Sequence, residues 1–137
     1  MITAVDTNVL LDVFTADPTF GSASGAALRA ANQAGALVAS EVVWAETLAW
    51  FSSQDEAARA LDLLRVRFVP FDVASAAAAG ATWRAYRRAG GRRDRVIADV
   101  LVGAHATAHA DQLLTRDRGF FRARFRTLKI VDPTRPS

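Results

Sequence analysis

Five short apolar runs, at 2–6, 36–39, 67–71, 112–115 and 127–131, are spaced along this chain with helix-length segments between them. Runs that are apolar throughout, without alternation, belong to strands buried on both faces. Strands of that kind separated by helices predict a parallel sheet with helices packed on each side. The helical segments fall at 7–14, 21–34, 41–51, 54–65, 73–89, 95–109 and 118–124, with a loop at 90–94 opened by Gly90-Gly91. The alanine-rich run Ala74 to Ala81 is a strong helix former. The expected fold is therefore an α/β three-layer sandwich around a central parallel sheet. Residues 1–132 are expected to form one domain, and 133–137, which carry Pro133 and Pro136, a frayed tail.

The chain has 137 residues, and 51% of them are apolar, enough for a real core at this length. It has no cysteine, which excludes disulfides and thiolate metal centres. Asp6 and Asp12 interrupt any signal-like apolar stretch, and no run reaches membrane-spanning length. A cytoplasmic protein without a membrane partner is expected. The formal charge is +3, and Lys129 is the sole lysine. Arginines crowd the stretch from Arg84 to Arg126. Guanidinium forks match phosphate, although the same composition also serves plain solubility.

Four acids stand out against this background. Asp99 interrupts the apolar stretch V-I-A-D-V-L-V-G-A from Val96 to Ala104, and on a helix it shares a face with Val96, Val102, Gly103 and Ala106. Glu46, in a helix that Ser40 would cap, falls with Val42, Val43, Ala49 and Trp50. Both are acids on faces expected to be buried, where a carboxylate needs a cation or a metal. Asp6 and Asp117 directly follow predicted strands, the edge where α/β proteins build ligand sites. Four carboxylates converging from separate elements repel by several kcal/mol, on the order of magnitude expected at low dielectric. A divalent ion relieves that repulsion, and an all-oxygen donor set suits Mg²⁺ or Mn²⁺ over zinc. Such ions serve phosphodiester hydrolysis, and with the arginine-rich half this points to cleavage of nucleic acid.

The segments Val5-Asp6-Thr7-Asn8-Val9-Leu10-Leu11, Glu46, Asp99-Val100-Leu101-Val102-Gly103-Ala104 and Leu114-Thr115-Arg116-Asp117 resemble the four signature segments of PIN-domain ribonucleases. At this length the chain is most similar to the VapC toxins of type II toxin–antitoxin pairs. The resemblance implies a Mg²⁺- or Mn²⁺-dependent endoribonuclease, a homodimer, and a small VapB-like antitoxin that blocks the site. It places the acidic quartet on Asp6, Glu46, Asp99 and Asp117, as catalytic residues and metal ligands. Asn8 and Thr115 match polar positions of the motifs, where hydrogen bonds to the ligands or the substrate are expected. Arg92, Arg93, Arg95 and Arg116 are the candidate RNA contacts.

Other acids read as structural. Asp94 and Asp72 are expected to cap helices, Asp111 to lie in a loop, and Asp12 on exposed helix surface. Glu41, Asp55 and Glu56 suit first turns. Asp6 and Asp117 taken singly would read as caps, and an arginine ion pair is the other way to satisfy Asp99 or Glu46. His105 and His109 are spaced like a zinc pair but lack the companion ligands. Trp44, Trp50, Phe51 and Trp83 are expected mostly in the core. A receiver domain would need an adjacent acidic pair where this chain has Asp6-Thr7, and an Asp-x-Asp phosphatase is excluded by Asn8. A non-catalytic RNA-binding α/β module is the alternative from a different class.

Overall fold

The computed structural model describes residues 1–90 and 97–135. The elements run β1 (Ile2–Val5), α1 (Thr7–Phe14), α2 (Gly21–Ala34), β2 (Ala36–Ala39), α3 (Glu41–Leu48), α4 (Gln54–Leu63), β3 (Val66–Phe68), α5 (Val73–Arg88), α6 (Ile97–His109), β4 (Gln112–Leu114), α7 (Arg118–Arg124) and β5 (Lys129–Val131). Ser40, Ser53 and Asp72 cap α3, α4 and α5, each accepting from the backbone N–H three residues on. The Asp94 cap expected from the sequence lies outside the described residues, as do 136 and 137 of the expected tail.

Several boundaries differ from expectation for local reasons. β3 was expected to reach 71 but stops at Phe68, because Pro70 has no N–H to give a ladder. The last pairing there is Val69 N–H to the Ala39 carbonyl at 3.0 Å. β5 starts late because 126–128 are spent turning, with Leu128 N–H on the Phe125 carbonyl at 3.1 Å. α3 ends at Leu48, and Trp50 is left 67% exposed, not in the core.

All five strands are parallel, in the order β3-β2-β1-β4-β5. The chain winds outward from β1 to β3, then crosses to the other side of β1 for β4 and β5. The reversal lies between β1 and β4, and it is at the carboxyl ends of the strands on either side of such a reversal that sheets of this kind build ligand sites. Asp6 N–H bonds the Leu114 carbonyl at 3.0 Å, tying the two strand ends together at that point.

The core is built on Val5, Leu37, Leu113 and Leu114 from the sheet, with Val9, Leu10, Leu61, Val100 and Phe121 from the covering helices, all nearly inaccessible to solvent. α6 lies against both β1 and β4. Gly103 lets it pack closely: a Cβ there would overlap the ring of Phe125, which follows α7. His105 is buried and bonds the Val69 carbonyl through Nε2 at 2.7 Å; burial pushes its pKa down, so it acts as a neutral strut. His109 lies 3.1 Å from Ser75 Oγ and 3.4 Å from Asp72. Among the described residues no helix is long and apolar enough to cross a membrane.

Candidate metal centre at the carboxyl edge of the sheet

Asp6 follows the end of β1 at this switch point and is buried, only 6% exposed. One carboxylate oxygen accepts from Thr7 N–H at 2.8 Å, starting α1, and the other accepts from the Thr115 hydroxyl at 2.8 Å. It is therefore a cap and something more. Burial pushes its pKa up to about 6; the two hydrogen bonds work against that shift, and the charges of Asp99 and Glu46 add to it.

Thr115, fully buried after β4, organises the opposite wall. Besides donating to Asp6, its oxygen accepts from Asp117 N–H at 3.0 Å and lies 3.5 Å from the Asn8 amide nitrogen. Asn8 in turn accepts from Arg116 N–H at 3.2 Å. Asn8 and Thr115 thus lace the start of α1 to the connection between β4 and α7. Asp117 precedes α7 but makes no capping hydrogen bond, and its carboxylate is exposed.

Asp99, near the start of the described part of α6, is half-buried, and Val102, Gly103 and Ala106 on its face are buried as the periodicity predicts. Its pKa is raised by burial first, then by the charges of Asp117 and Glu46. Among the described residues its carboxylate meets no cation: the ion pairs there join Arg116 to Asp12, His109 to Asp72 and Arg135 to Asp132.

Glu46 corrects the premise that marked it. It is exposed, with Ala45, Ala49 and Trp50, while Val43 and Thr47 turn inward. The apolar stripe read from the sequence counted Ala49 and Trp50, which lie beyond the end of α3. Glu46 still reaches the site, accepting from the Thr7 hydroxyl at 2.8 Å.

The four acids therefore share one electrostatic neighbourhood, with Asp99 coupled to each of the other three. Among the described residues, no three such groups already close around a common point as an ion cage. Mg²⁺ is commonly held by one or two carboxylates together with water and substrate phosphate. The donors are all oxygens, and among the described residues the buried Asp6 meets no cation, so the residues present fit a hard divalent ion.

Two arginine expectations resolve differently. Arg92, Arg93 and Arg95 lie outside the described residues. The Arg116 fork is already engaged: Nε and Nη2 bond the two oxygens of Asp12 at 2.7 and 3.0 Å, and the guanidinium lies 4.0 Å above the Phe20 ring. Asp12, expected on exposed surface, is 3% exposed and also accepts from Ser24 Oγ at 2.7 Å. Sequence reasoning missed this pair because the partners are 104 positions apart. The only signal was an acid one turn beyond Asn8 on a helix that carries Val9 and Leu10 into the core.

A family model of the PIN domain matches residues 3–126. The chain belongs to the PIN domain family. No curated protein matches it in sequence. Among solved structures it is similar to VapBC-1 from nontypeable Haemophilus influenzae, at 23% identity and a TM-score of 0.72, with 98% of this chain and 100% of that one covered. VapBC2 from Rickettsia felis, solved on a DNA fragment from its promoter, aligns at 18% identity and a TM-score of 0.73, over 96% and 98% of the two chains. A toxin–antitoxin complex from Klebsiella pneumoniae aligns at 20% identity and a TM-score of 0.69, over 96% and 97%.

Proposed function

We propose that the protein is a Mg²⁺- or Mn²⁺-dependent endoribonuclease, the toxin of a VapBC-type toxin–antitoxin pair, active in the cytoplasm as a homodimer through the unit 1–132. The reading is supported by the mutual charge influence of Asp6, Glu46, Asp99 and Asp117 near the topological switch point, with Asp6 buried, raised to about 6 and, among the described residues, without a cation. Membership of the PIN family and the similarity to VapBC complexes support the reading, and a VapB-like antitoxin is the partner it implies.

In this reading Asp6 and Asp99 hold the principal ion, and Glu46 and Asp117 complete the pocket. A bound divalent ion supplies charge neutralisation and a more acidic attacking water. The chain's own contribution is placement. Thr115 and Thr7 N–H fix both oxygens of Asp6, which sets the direction of its remaining lone pairs. The Thr7 hydroxyl orients Glu46. Asp117, free of any capping duty, is available to accept a proton or orient water at the scissile phosphate.

The test is cleavage of a labelled single-stranded RNA by purified protein. Cleavage should stop with EDTA, return with Mg²⁺ or Mn²⁺, and leave 5′-phosphate and 3′-hydroxyl ends. Metal-independent cleavage to a 2′,3′-cyclic phosphate would overturn the reading, and RNA binding without cleavage would favour the non-catalytic module.

A further inference from the structure

The engagement of Arg116 by Asp12 leaves an RNA strand without the cation that the sequence offered it beside Asp117. Other cations stand close by. Between α7 and the edge strand β5 lies a cavity of about 290 Å³ lined by Arg118, Arg122, Lys129 and Arg135, with Asp132 as the single acid. Arg118 and Arg122 are one helical turn apart and so project from one side of α7. Lys129 opens β5 and Arg135 follows it.

Among the described residues only Arg135 of these four cations has an ion-pair partner, Asp132, and that contact is long at 4.0 Å. Four like charges around one hollow repel one another, so the arrangement is relieved by an anion, as the acidic cluster next door is relieved by a cation.

The cavity borders the candidate metal centre. Arg118 is the residue after Asp117. Val131, in the cavity wall, accepts from Thr115 N–H at 3.0 Å, and Thr115 holds Asp6. The larger groove of about 500 Å³ between α5 and α7 is a poorer anion site. It is lined mainly by alanines, and its Arg124 is already held by the Phe120 carbonyl at 3.2 Å and by the rings of Tyr86 and Phe120.

We propose that the cavity between α7 and β5 is a phosphate subsite for the RNA strand, binding the backbone as it leaves the carboxylates. This rests on the nuclease reading above. Arg118 and Arg122 grip one phosphate, and Lys129 and Arg135 hold its neighbour or complete the same shell. The contacts go to backbone only, so the subsite adds affinity and direction without reading sequence. A chain that concentrates negative charge at its ion site needs such a positive surface beside it, because a polyanion approaching the acids alone is repelled.

The experiment measures binding of a fluorescent single-stranded RNA to the protein in EDTA across a salt series, and cleavage with Mn²⁺. The double variant Arg118→Ala/Arg122→Ala should weaken RNA binding about tenfold or more at low salt. It should lower the salt slope by about 0.7, the effect of one phosphate contact on a single strand. In cleavage KM should rise while kcat stays within about twofold, because the scissile phosphate is still held by the ion site. Lys129→Ala/Arg135→Ala should act in the same direction. Arg67→Ala, on the far edge strand, is the control and should change neither quantity.

Unchanged affinity and slope in both double variants, with wild type still binding and cleaving, would overturn the subsite and leave the nuclease reading intact. Failure of wild type to bind or cleave RNA would overturn both. Inorganic phosphate and poly-glutamate are run as competitors. Loss of poly-glutamate binding in the variants, with RNA binding unchanged, would reassign the cavity to an acidic protein. Binding of inorganic phosphate alone would reduce it to a free-anion site. Circular dichroism spectra of the variants matching wild type exclude unfolding as the cause.

Discussion

Asp6 caps α1 and Asp12 lies within it, six residues on, and both are almost fully buried. Their surroundings are opposite. Asp12 receives a two-pronged guanidinium and a serine hydroxyl, so its charge is met by a cation inside the fold. Asp6 receives two neutral donors and faces Asp99 and Glu46, charges of its own sign. Burial alone would rank the two acids equally as functional candidates. What separates them is the sign of the charge nearby: one carboxylate is settled by the protein, and the other is left for something from outside.

The largest expected effect probes the unsettled side. Asp99→Asn removes a proposed ligand while keeping its shape, and should lower RNA cleavage by about 100-fold or more. Its far-ultraviolet spectrum should match wild type. Near wild-type cleavage by this variant would erase the contrast with Asp12.

Stability comes next. Asp12→Asn strands the Arg116 guanidinium and should cost about 2–3 kcal/mol, toward the low end for a broken pair because Arg116 keeps 27% of its side-chain surface exposed. Asp6→Asn takes one charge out of a repelling group, so its metal-free melting temperature should be no lower than wild type. Equal losses in the two variants, measured by denaturant unfolding, would show that the two acids are alike after all.

Metal linkage sharpens the same distinction. A cation that binds only the folded chain stabilises it by about 2–3 kcal/mol at a hundredfold excess over its dissociation constant. Mn²⁺ should raise the melting temperature of wild type and of Asp12→Asn by similar amounts, and that of Asp99→Asn far less. A response lost in Asp12→Asn but kept in Asp99→Asn would put the ion on the wrong acid.

The smallest effect is the pH dependence without metal. Burial pushes Asp6 up to about 6 in the folded chain from an ordinary 3.8 when unfolded, so the folded state binds its proton more tightly. Its contribution is therefore favourable below about pH 4 and is lost as pH rises toward 6, by about 3 kcal/mol in all. His105, with its pKa lowered by burial, acts in the opposite sense over part of that window. The comparison to make is thus the stability profile of wild type minus that of Asp6→Asn between pH 4 and 7. A flat difference would remove the unsettled charge from Asp6. With Mn²⁺ present, stabilisation should fade below pH 6 as protons displace the ion.

Much of this architecture can be read locally. Apolar runs without alternation announced parallel strands, and Ser40 and Asp72 announced helix starts, because those signals lie within a few residues of what they specify. Asp6 could be marked by its position after a strand. The errors share a different cause. Glu46 was judged by a stripe that ran past the end of its helix, and Trp50 by its size, although neither is covered by a neighbouring element. Asp12 was judged by its polarity, and its partner is at the other end of the chain. Which of sixteen arginines meets which acid is decided by the order of the strands, and no local pattern encodes that order.

The missing side chain at Gly103 has a consequence some distance from where it sits. Phe125 presses into the space it leaves, so the ring that follows α7 lies directly on the backbone of α6. Asp99 lies four residues before this contact and Asp117 eight residues before Phe125, on the two elements it joins. The gap between those acids is thus calibrated as a lever is by its fulcrum: a methyl group added at the pivot would reach the site as a change of aperture. The carboxylate edge of this molecule is gauged from its interior, by an atom the sequence leaves out.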